Sequence, residues 1–425
     1  MIRILHTSDW HLGKELIRES TLPAQRQMTE WLLGVCRERE VGCLLLSGDV
    51  FDVLTPSNAA QELYYSFLAR AVKAGVRAVV VTPGNHDSAG FLRAPSTVLG
   101  GLGVIVPGPR AEDQAVVIRD EAGEPLLGVA AVPFLRESEV RGSREGITDG
   151  DRWALYAAGV AERYEAVRRG LDEKLHGSAA PRVAMGHFFA AGSAVTPDPE
   201  TGAVPATVGS LGAIPASVMG EGWDYAALGH IHRAQEAAGP AVRYSGSPVP
   251  LSFREADNPT QVVLVTLGAH GEAPEIEPIP VPRFQPIARA EGDADGLAAR
   301  LERIARESPG AWVEADYTGV SEQPDLNDML SGLCERLGLR LLAVRNQAAF
   351  RRALKSTEEA PPLESWSPED VFRMYLEESH ATDEDAASLA ETFGEALALV
   401  REDQAARKRR EEEISPEAQA GEGEA

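Results

Sequence analysis

Side chains that bind metal ions or transfer protons follow five predicted strands of this sequence, close to where each strand ends. In chain order, the segments are SDWH with Asp9 and His11, SGDVFD with Asp49, GNHD with Asn85 and His86, GHFF with His187, and GHIH with His230 and His232. A polar group stranded in an apolar core costs about 1–3 kcal/mol, yet five of the nine histidines recur at such positions. The pattern therefore indicates one functional cluster rather than separate packing residues.

The mixture of side-chain types points to catalytic metal chemistry. Carboxylate, imidazole and amide oxygen ligands without cysteine suit Mn²⁺, Fe or Zn²⁺ in a reactive site better than a structural zinc. In the DxH and HxH pairs one residue separates the two ligands, so both side chains can point to the same side and hold one ion. Two ions about 3.5–4 Å apart need a bridging carboxylate and together stabilise a displacement at phosphorus.

The elements that must position these residues are predicted from apolar runs with helical patterns between them. A helix with Met28, Leu32 and Cys36 on one face lies between the first two strands, and the later part of the chain is richer in strands. This order predicts an α/β fold in which two sheets pack as a sandwich. Ligands of open α/β sheets bind beyond the carboxyl ends of the strands, where the polar clusters fall. We assign residues 1–282 to this domain, because the Pro-rich segment EPIPVPRFQP (277–286) marks a boundary.

The remainder of the chain is predicted to form smaller units. Residues 283–350 read strand, helix, strand, helix, strand, which predicts a small α+β domain with helix faces marked by Leu297, Leu301, Ile304, Leu326, Met329, Leu330, Leu333 and Leu337. Residues 351–402 contain a polar linker and two amphipathic helices, the second with a stripe from Ala386 to Val400 that includes Phe393. Two helices of this size cannot bury such a stripe alone, so it packs either on the same chain or on a partner. The charged tail 403–425 is predicted to be disordered.

Composition sets the outer limits on function. The chain has 425 residues and a formal charge of −24, with much of the acidity after Lys355. Net charge alone argues against nucleic acid as a partner, but the location of the acidic residues weakens that argument. We expect no membrane partner, because no apolar run approaches about 18 residues. Cys36, Cys43 and Cys334 lack CxxC spacing and are predicted to be buried, reduced thiols of a cytoplasmic protein.

The order DxH, GD, GNHD, GH, GHxH resembles that of the calcineurin-like metallophosphoesterases. The fuller run LHTSDWHLG, SGDVFD, PGNHDS, GHFFAAGS, YAALGHIHRAQ and YSGSP is similar to one branch of that superfamily, the SbcD nuclease subunits, over roughly residues 1 to 400. The resemblance implies a metallophosphoesterase domain, a capping domain and C-terminal helices that dock on an SbcC-type ATPase. It also implies a homodimer with DNA exonuclease and endonuclease activity that is gated by ATP hydrolysis. The implied cofactors are two divalent metal ions, and Mn²⁺ is the metal expected.

Roles for individual residues follow from the same resemblance. Asp9, His11 and His232 would hold one metal, and Asn85, His187 and His230 would hold the other. Asp49 would bridge the two ions, and His86 would contact the phosphate or the leaving group as a catalytic residue. Asp87 would orient His86 or its loop. Some relatives carry histidine where Asp52 stands, so an acid or base role for Asp52 is in doubt.

Two other functions remain open at this stage. A phosphatase or cyclic-nucleotide phosphodiesterase of the same superfamily would act on small substrates, although the additional domains favour a polymeric one. A non-catalytic scaffold would retain the fold, but the complete ligand set argues against it. Contacts to DNA are assigned to two loops that could reach phosphates or could equally be solvated surface. The basic residues of these loops are Lys14, Arg18, Arg136, Arg141 and Arg144.

Overall fold

The computed structural model describes residues 1–140, 149–191, 193–194, 207–208, 211–319 and 325–346, together with a few single positions beyond residue 370. Met1–Gln347 form one compact unit and Ala348–Ala425 form a second. Arg141 and Arg144, two of the residues predicted to contact DNA, lie outside the described residues. Most of the predicted C-terminal helices and the tail also lie outside them.

The first sheet of the larger unit contains six strands in the order β16-β15-β1-β4-β5-β6. Strands are numbered along the chain, and the six are β1 (Ile2–Thr7), β4 (Cys43–Ser47), β5 (Ala78–Thr82), β6 (Val104–Ile105), β15 (Gln261–Leu267) and β16 (Glu275–Pro280). The four strands from β1 to β6 run parallel, and β15 and β16 add an antiparallel edge. The carboxyl ends of β1, β4 and β5 therefore meet at one end of the sheet.

Strand β16 differs from what its sequence suggests. It extends into the Pro-rich segment that we took as a domain boundary, and it pairs along its length with β15. Proline cannot donate a ladder hydrogen bond and is tolerated on edge strands. The position of β16 at the sheet edge explains how Pro278 and Pro280 fit into a strand.

Two helices cover the outer face of the first sheet. They are α1 (Leu22–Glu38) and α2 (Asn58–Lys73). The predicted face of α1 is buried, including Met28, Leu32 and Cys36. Ser57 caps the N-terminus of helix α2, and its hydroxyl accepts a hydrogen bond from Ala60 N at 3.3 Å. Leu44 and Leu46 of β4 project into this helix-covered core.

The second sheet also contains six strands, in the order β13-β14-β12-β9-β8-β7. They are β7 (Ala115–Arg119), β8 (Pro125–Ala131), β9 (Arg182–His187), β12 (Tyr225–Gly229), β13 (Gln235–Glu236) and β14 (Val242–Tyr244). Strands β8, β9, β12 and β14 are parallel, so β9 and β12 also end at one edge. The long helix α7 (Asp149–Leu175) covers the outer face, with Tyr164 and Leu171 buried.

The two sheets pack face to face. Alternate side chains of β4 point to opposite faces of its sheet. Leu44 and Leu46 face the helices, whereas Cys43 and Leu45 pack between the sheets against Val129 of β8 and Met185 of β9. The result is a helix–sheet–sheet–helix arrangement, which confirms the predicted α/β sandwich. Cys36, Cys43 and Cys334 are free and buried, as predicted.

Residues 287–346 form a separate three-stranded parallel sheet with two helices. Its elements are β17 (Ile287–Gly292), α8 (Ala294–Glu307), β18 (Trp312–Tyr317), α9 (Leu326–Arg336) and β19 (Arg340–Asn346). The order matches the predicted one, and Leu297, Leu301 and Ile304 are buried. Met329, which we placed on the apolar face of α9, is instead 42% exposed.

Short elements complete the described structure. The small strands are β2 (Glu15–Leu16), β3 (Glu19–Ser20), β10 (Thr207–Val208) and β11 (Leu211–Gly212). The short helices are α3 (Ala89–Arg93), α4 (Ser96–Gly100), α5 (Ala111–Gln114) and α6 (Glu137–Val140), with 3₁₀ turns at Ala216–Met219 and Phe253–Glu255. Among the described helices, none combines the length and apolar character needed to cross a bilayer.

Candidate metal centre

The predicted ligands gather where the strands of both sheets end. Asp9 and His11 follow β1, Asp49 follows β4, and Asn85 follows β5. From the second sheet, His187 is the last residue of β9 and pairs with Gly229, directly before His230 on the neighbouring strand. Face-to-face packing thus brings together residues that are up to 223 positions apart in the sequence.

The ligand atoms form two groups that lie against each other. Asp9, His11 and His232 each offer a ligand atom within 4.8 Å of the others, and Asp49, His187 and His230 do the same. The side-chain oxygen of Asn85 joins the second group, at 3.1 Å from His187 Nε2 and 2.9 Å from His230 Nδ1. These are the two sets that the sequence resemblance implied.

Asp49 lies between the two groups. Its Oδ2 is 3.4 Å from His11 Nε2 in the first group and 3.3 Å from His187 Nε2 in the second. His11 Nε2 is buried, and it makes no hydrogen bond to the residues that the structure describes. A divalent cation would satisfy this nitrogen, so the residues present fit a pair of ions bridged by a carboxylate.

The backbone at the ligands is strained. Asp9, His11, Asp49 and His230 have φ values of 54°, 43°, 50° and 95°, in the left-handed region. Such conformations cost of order 1–3 kcal/mol each and persist where the surroundings enforce them. Hydrogen bonds from Asp9 N to Gly48 O and from His11 N to Asp49 O, both 3.0 Å, hold the first two loops together.

Close packing at two glycines is part of the same geometry. A Cβ atom at Gly48 would overlap the imidazole of His187, and one at Gly84 would overlap the Asp49 carboxylate. Gly48 also has a φ of 84°, which favours glycine. These glycines allow the backbone of the β4 and β5 loops to approach the ligands.

Asp49 interacts electrostatically with the histidines beside it. Burial by itself would raise the pKa of Asp49, but His187 and His11 beside it hold that pKa far below its usual range. Burial would lower the pKa of His187, whereas the Asp49 carboxylate raises it to about 9. Without a cation the pair is therefore a carboxylate and an imidazolium. A metal must displace that proton, since only a neutral imidazole is a ligand.

His86 occupies a different position from the ligands. It is exposed, its ring centroid lies 4.8 Å from that of His11, and its Nδ1–H donates to the carbonyl oxygen of Asp52 at 2.8 Å. A carbonyl only accepts, so Nδ1 carries the proton and Nε2 is the atom left for substrate. His11, Asp52 and His86 form a third group of potential ligands within 4.8 Å.

Asp87 and Asp52 support their neighbours. The Asp87 carboxylate accepts hydrogen bonds from Val50 N, Phe51 N and Gly84 N at 2.9–3.0 Å, so it ties the β4 loop to the β5 loop and makes no bond to the His86 ring. Burial, reinforced by the charge of Asp49, raises the pKa of Asp87 to about 6. Asp52 Oδ1 lies 3.3 Å from His11 Nδ1 and orients that imidazole.

Lys14 is already engaged in the structure. The sequence left Lys14 as either a phosphate contact or a solvated loop residue, and in the structure its Nζ lies 3.1 Å from Asp52 Oδ1. The Lys14 side chain is 32% exposed, so the ion pair is partly shielded from solvent. Its contact therefore supports the orientation of Asp52 beside His11.

Glu255 is a site residue that the sequence did not suggest. Its Oε1 accepts from His232 Nδ1 at 3.1 Å, and its Oε2 accepts from Leu251 N at 2.9 Å. Burial would lower the pKa of His232, but this carboxylate raises it to about 8. A carboxylate on the far nitrogen of a metal-binding histidine fixes the tautomer and the ring orientation. The only signal was the acidic residue in LSFRE after YSGSP, 23 positions from His232.

Comparison with known proteins agrees with this geometry. Residues 2–136 match the family model described as calcineurin-like phosphoesterase, and residues 283–380 match SbcD_C, described as the type 5 capsule protein repressor C-terminal domain. The SbcD subunit of the nuclease SbcCD from Escherichia coli K12 is 31% identical over 383 residues, which cover 89% of this chain and 94% of the relative. Its counterpart from Rhodobacter capsulatus is 35% identical, covering 87% and 93%.

The chain belongs to the SbcD family of nuclease subunits. A third member, from Bacillus subtilis, is 29% identical over 77% of this chain and 82% of its own length. The phosphoesterase match includes Asp9, His11, Asp49 and Asn85 but ends at residue 136. In this SbcD-family chain the second sheet supplies the remaining candidate ligands, His187, His230 and His232.

Proposed function

We propose that this protein is the nuclease subunit of an SbcCD-type complex, which cleaves phosphodiester bonds of DNA in a two-metal centre. The observation that carries the proposal is the position of Asp49, within 3.4 Å of histidines from both ligand groups. The activities proposed are double-strand exonuclease and single-strand or hairpin endonuclease, in DNA repair and recombination. The partner is an SbcC-type ATPase, the active form is a homodimer, and the location is the cytoplasm.

The candidate ligands suit two divalent cations, and we propose that both are Mn²⁺. One cation would be held by Asp9, His11 and His232. The other would be held by Asn85, His187 and His230, and Asp49 would bind both cations. When bound, the ions supply Lewis-acid stabilisation of the attacking and leaving oxygens. The neutral amide of Asn85 adds no negative charge to its group, which keeps that position strongly electrophilic.

The protein's own residues would orient the substrate and move the proton. With Nδ1 of His86 fixed on the Asp52 carbonyl, its Nε2 can donate to a phosphoryl oxygen or protonate the leaving oxygen as charge develops there. That role requires the imidazolium form, because neutral His86 would have no hydrogen on Nε2. A positioned general acid typically contributes about 10²–10⁴-fold in rate. We therefore assign His86 to catalysis rather than to metal binding.

The C-terminal unit is proposed to dock on SbcC. Within that unit, the rings of Phe372 and Phe393 stack with centroids 4.0 Å apart. Leu389, on the same predicted stripe as Phe393, is 47% exposed. The apolar stripe therefore retains exposed surface that a helical partner could cover.

A nuclease assay with defined components tests the proposal. The purified chain, SbcC, Mn²⁺ and ATP should degrade linear duplex DNA, and Asp49→Ala should abolish that activity. The same preparations are assayed on bis(p-nitrophenyl) phosphate. Hydrolysis of the small ester without any cleavage of DNA would contradict the nuclease assignment and favour a small-substrate phosphodiesterase. No hydrolysis of either substrate would favour a scaffold.

A further inference from the structure

A cavity lies directly behind the metal centre. It has a volume of about 340 Å³ and is lined by residues that include Gly84, Phe134 and Gln114. The backbone of Gly84 separates it from Asp49, since a Cβ there would meet the Asp49 carboxylate. The ring of Phe134 packs edge-on against His187, with centroids 6.3 Å apart. We call this cavity the arginine pocket, after Arg93, Arg136 and Arg163 on its wall.

The Arg93 guanidinium interacts at longer range with the Asp113 carboxylate, but the three groups have no acidic partner at salt-bridge distance within the described part of the chain. None of them forms an ion pair there, although Arg163 Nη1 donates to Pro109 O at 2.8 Å. The two carboxylates on the same wall accept hydrogen bonds from backbone N–H groups. Glu139 accepts from the backbone N of Arg136 at 2.8 Å, and Asp87 accepts from three backbone N–H groups. The pocket thus presents spare guanidinium donors in a protein of formal charge −24.

Gln114 lies behind the wall and is fully buried there. Its Nε2 donates to Gly108 O at 3.2 Å. Its Oε1 is buried and has no hydrogen-bond partner among the described residues. Reversing the amide would set its oxygen against the carbonyls of Gly108 and Pro109, so the orientation is fixed. A buried acceptor of this kind is costly unless a donor reaches it.

We propose that the arginine pocket binds one nucleotide monophosphate unit. Guanidinium groups recognise phosphate through charge-assisted, often bidentate hydrogen bonds. Phe134 and the neighbouring prolines of the wall provide apolar contact for the sugar and the base. The volume falls in the range of about 300–1,000 Å³ typical of small-ligand sites. The unit is either a free mononucleotide or a nucleotide within a DNA strand, and the second source rests on the proposed function.

Binding to the metal-free protein tests the site apart from catalysis. The full-length chain in EDTA is titrated calorimetrically with thymidine monophosphate, inorganic phosphate and a single-stranded thymidine oligonucleotide. Arg136→Gln and Arg163→Gln should each weaken the recognised ligand at least tenfold. The matched control is Arg168→Gln, which removes the same charge from helix α7 but loses pairs to Glu165 and Asp172 instead. Arg93→Gln replaces any variant that fails to fold, as judged by circular dichroism.

Each outcome decides a point. Loss of thymidine monophosphate binding identifies a free nucleotide, whereas loss of oligonucleotide binding alone identifies a strand nucleotide. Equal affinity for phosphate and thymidine monophosphate would overturn the nucleotide assignment. Wild-type affinity in both arginine variants, or the same loss in Arg168→Gln, would overturn the site. Because no metal, ATPase or cleavage is needed, failure of the nuclease assay would leave these results unaffected.

Discussion

Removal of Glu255 is expected to weaken one metal site and spare the other. Glu255→Ala deletes the acceptor for His232 Nδ1, which lies 3.1 Å away, together with the bonds from Leu251 N and the Ser252 hydroxyl. Loss of such a partner typically costs 10–100-fold in metal affinity, or about 1.4–2.7 kcal/mol. His232 belongs to the group with Asp9 and His11, so the loss should appear there. The group of Asn85, His187 and His230 should keep its ion.

The assay is a Mn²⁺ titration of metal-free protein at pH 8, followed by calorimetry and electron paramagnetic resonance. Glu255→Gln retains an oxygen that can accept from His232 and should recover most of the affinity. Ser252→Ala is the matched control, because it removes a contact to Glu255, 3.2 Å long, without touching His232. His270→Ala breaks another histidine–carboxylate pair, to Asp224 at 2.9 Å, and should leave both ions bound.

The reasoning would be refuted by either of two results. Glu255→Ala could bind two Mn²⁺ ions with wild-type affinities, which would make the Glu255 contact irrelevant to the metal. Alternatively, both sites could weaken equally, together with a lower melting temperature and no recovery in Glu255→Gln. That pattern would assign Glu255 to the stability of its own turn.

Four further outcomes are expected. Asp49→Ala should lose both ions or hold one weakly, and two ions retained in elemental analysis would disprove the bridge. His86→Gln should keep two ions and DNA affinity but lose about 10²–10⁴-fold in single-turnover cleavage, whereas a rate within a few-fold of wild type would contradict its catalytic role. Phe393→Asp and the exposed Leu389→Asp should prevent co-purification with SbcC, since a buried unpaired carboxylate is costly, and unchanged co-purification would show that the stripe packs on its own chain. Mn²⁺ affinity should rise from pH 6.5 to 8.5, because His187 and His232, with pKa values raised to about 9 and about 8, must release protons; a flat profile would exclude that competition.

Much of the centre could be predicted because its ligands are encoded next to strands. Runs such as AVVVT and CLLLS specify strands locally, and the polar residues that follow them must then lie at the strand ends. The parallel pairing of β1, β4 and β5 needs no further information to bring Asp9, Asp49 and Asn85 to one edge. The likeness of the motifs to a known family supplied the division into two groups.

Other features depend on tertiary contacts and left little trace in the sequence. Glu255 reaches His232 only because a 3₁₀ turn, Phe253–Glu255, folds beside the loop that carries His232. Nothing in the sequence paired Lys14 with Asp52, although Lys14 Nζ and Asp52 Oδ1 lie 3.1 Å apart. Met329 fitted an apolar stripe, but the small sheet does not cover that side of α9, and the residue stays 42% exposed. Local pattern cannot decide which partner a side chain meets.

The ties around the ligands indicate a centre that is organised before a cation arrives. Four ligand residues hold left-handed backbone conformations, which together cost several kcal/mol at about 1–3 kcal/mol each. Asp87 offsets part of that cost by joining the β4 and β5 loops through three backbone hydrogen bonds. The Asp49 carboxylate and the His187 imidazolium hold the two sheets' ligands together as an ion pair. A cation then replaces a proton instead of assembling the site, so little ordering entropy opposes binding.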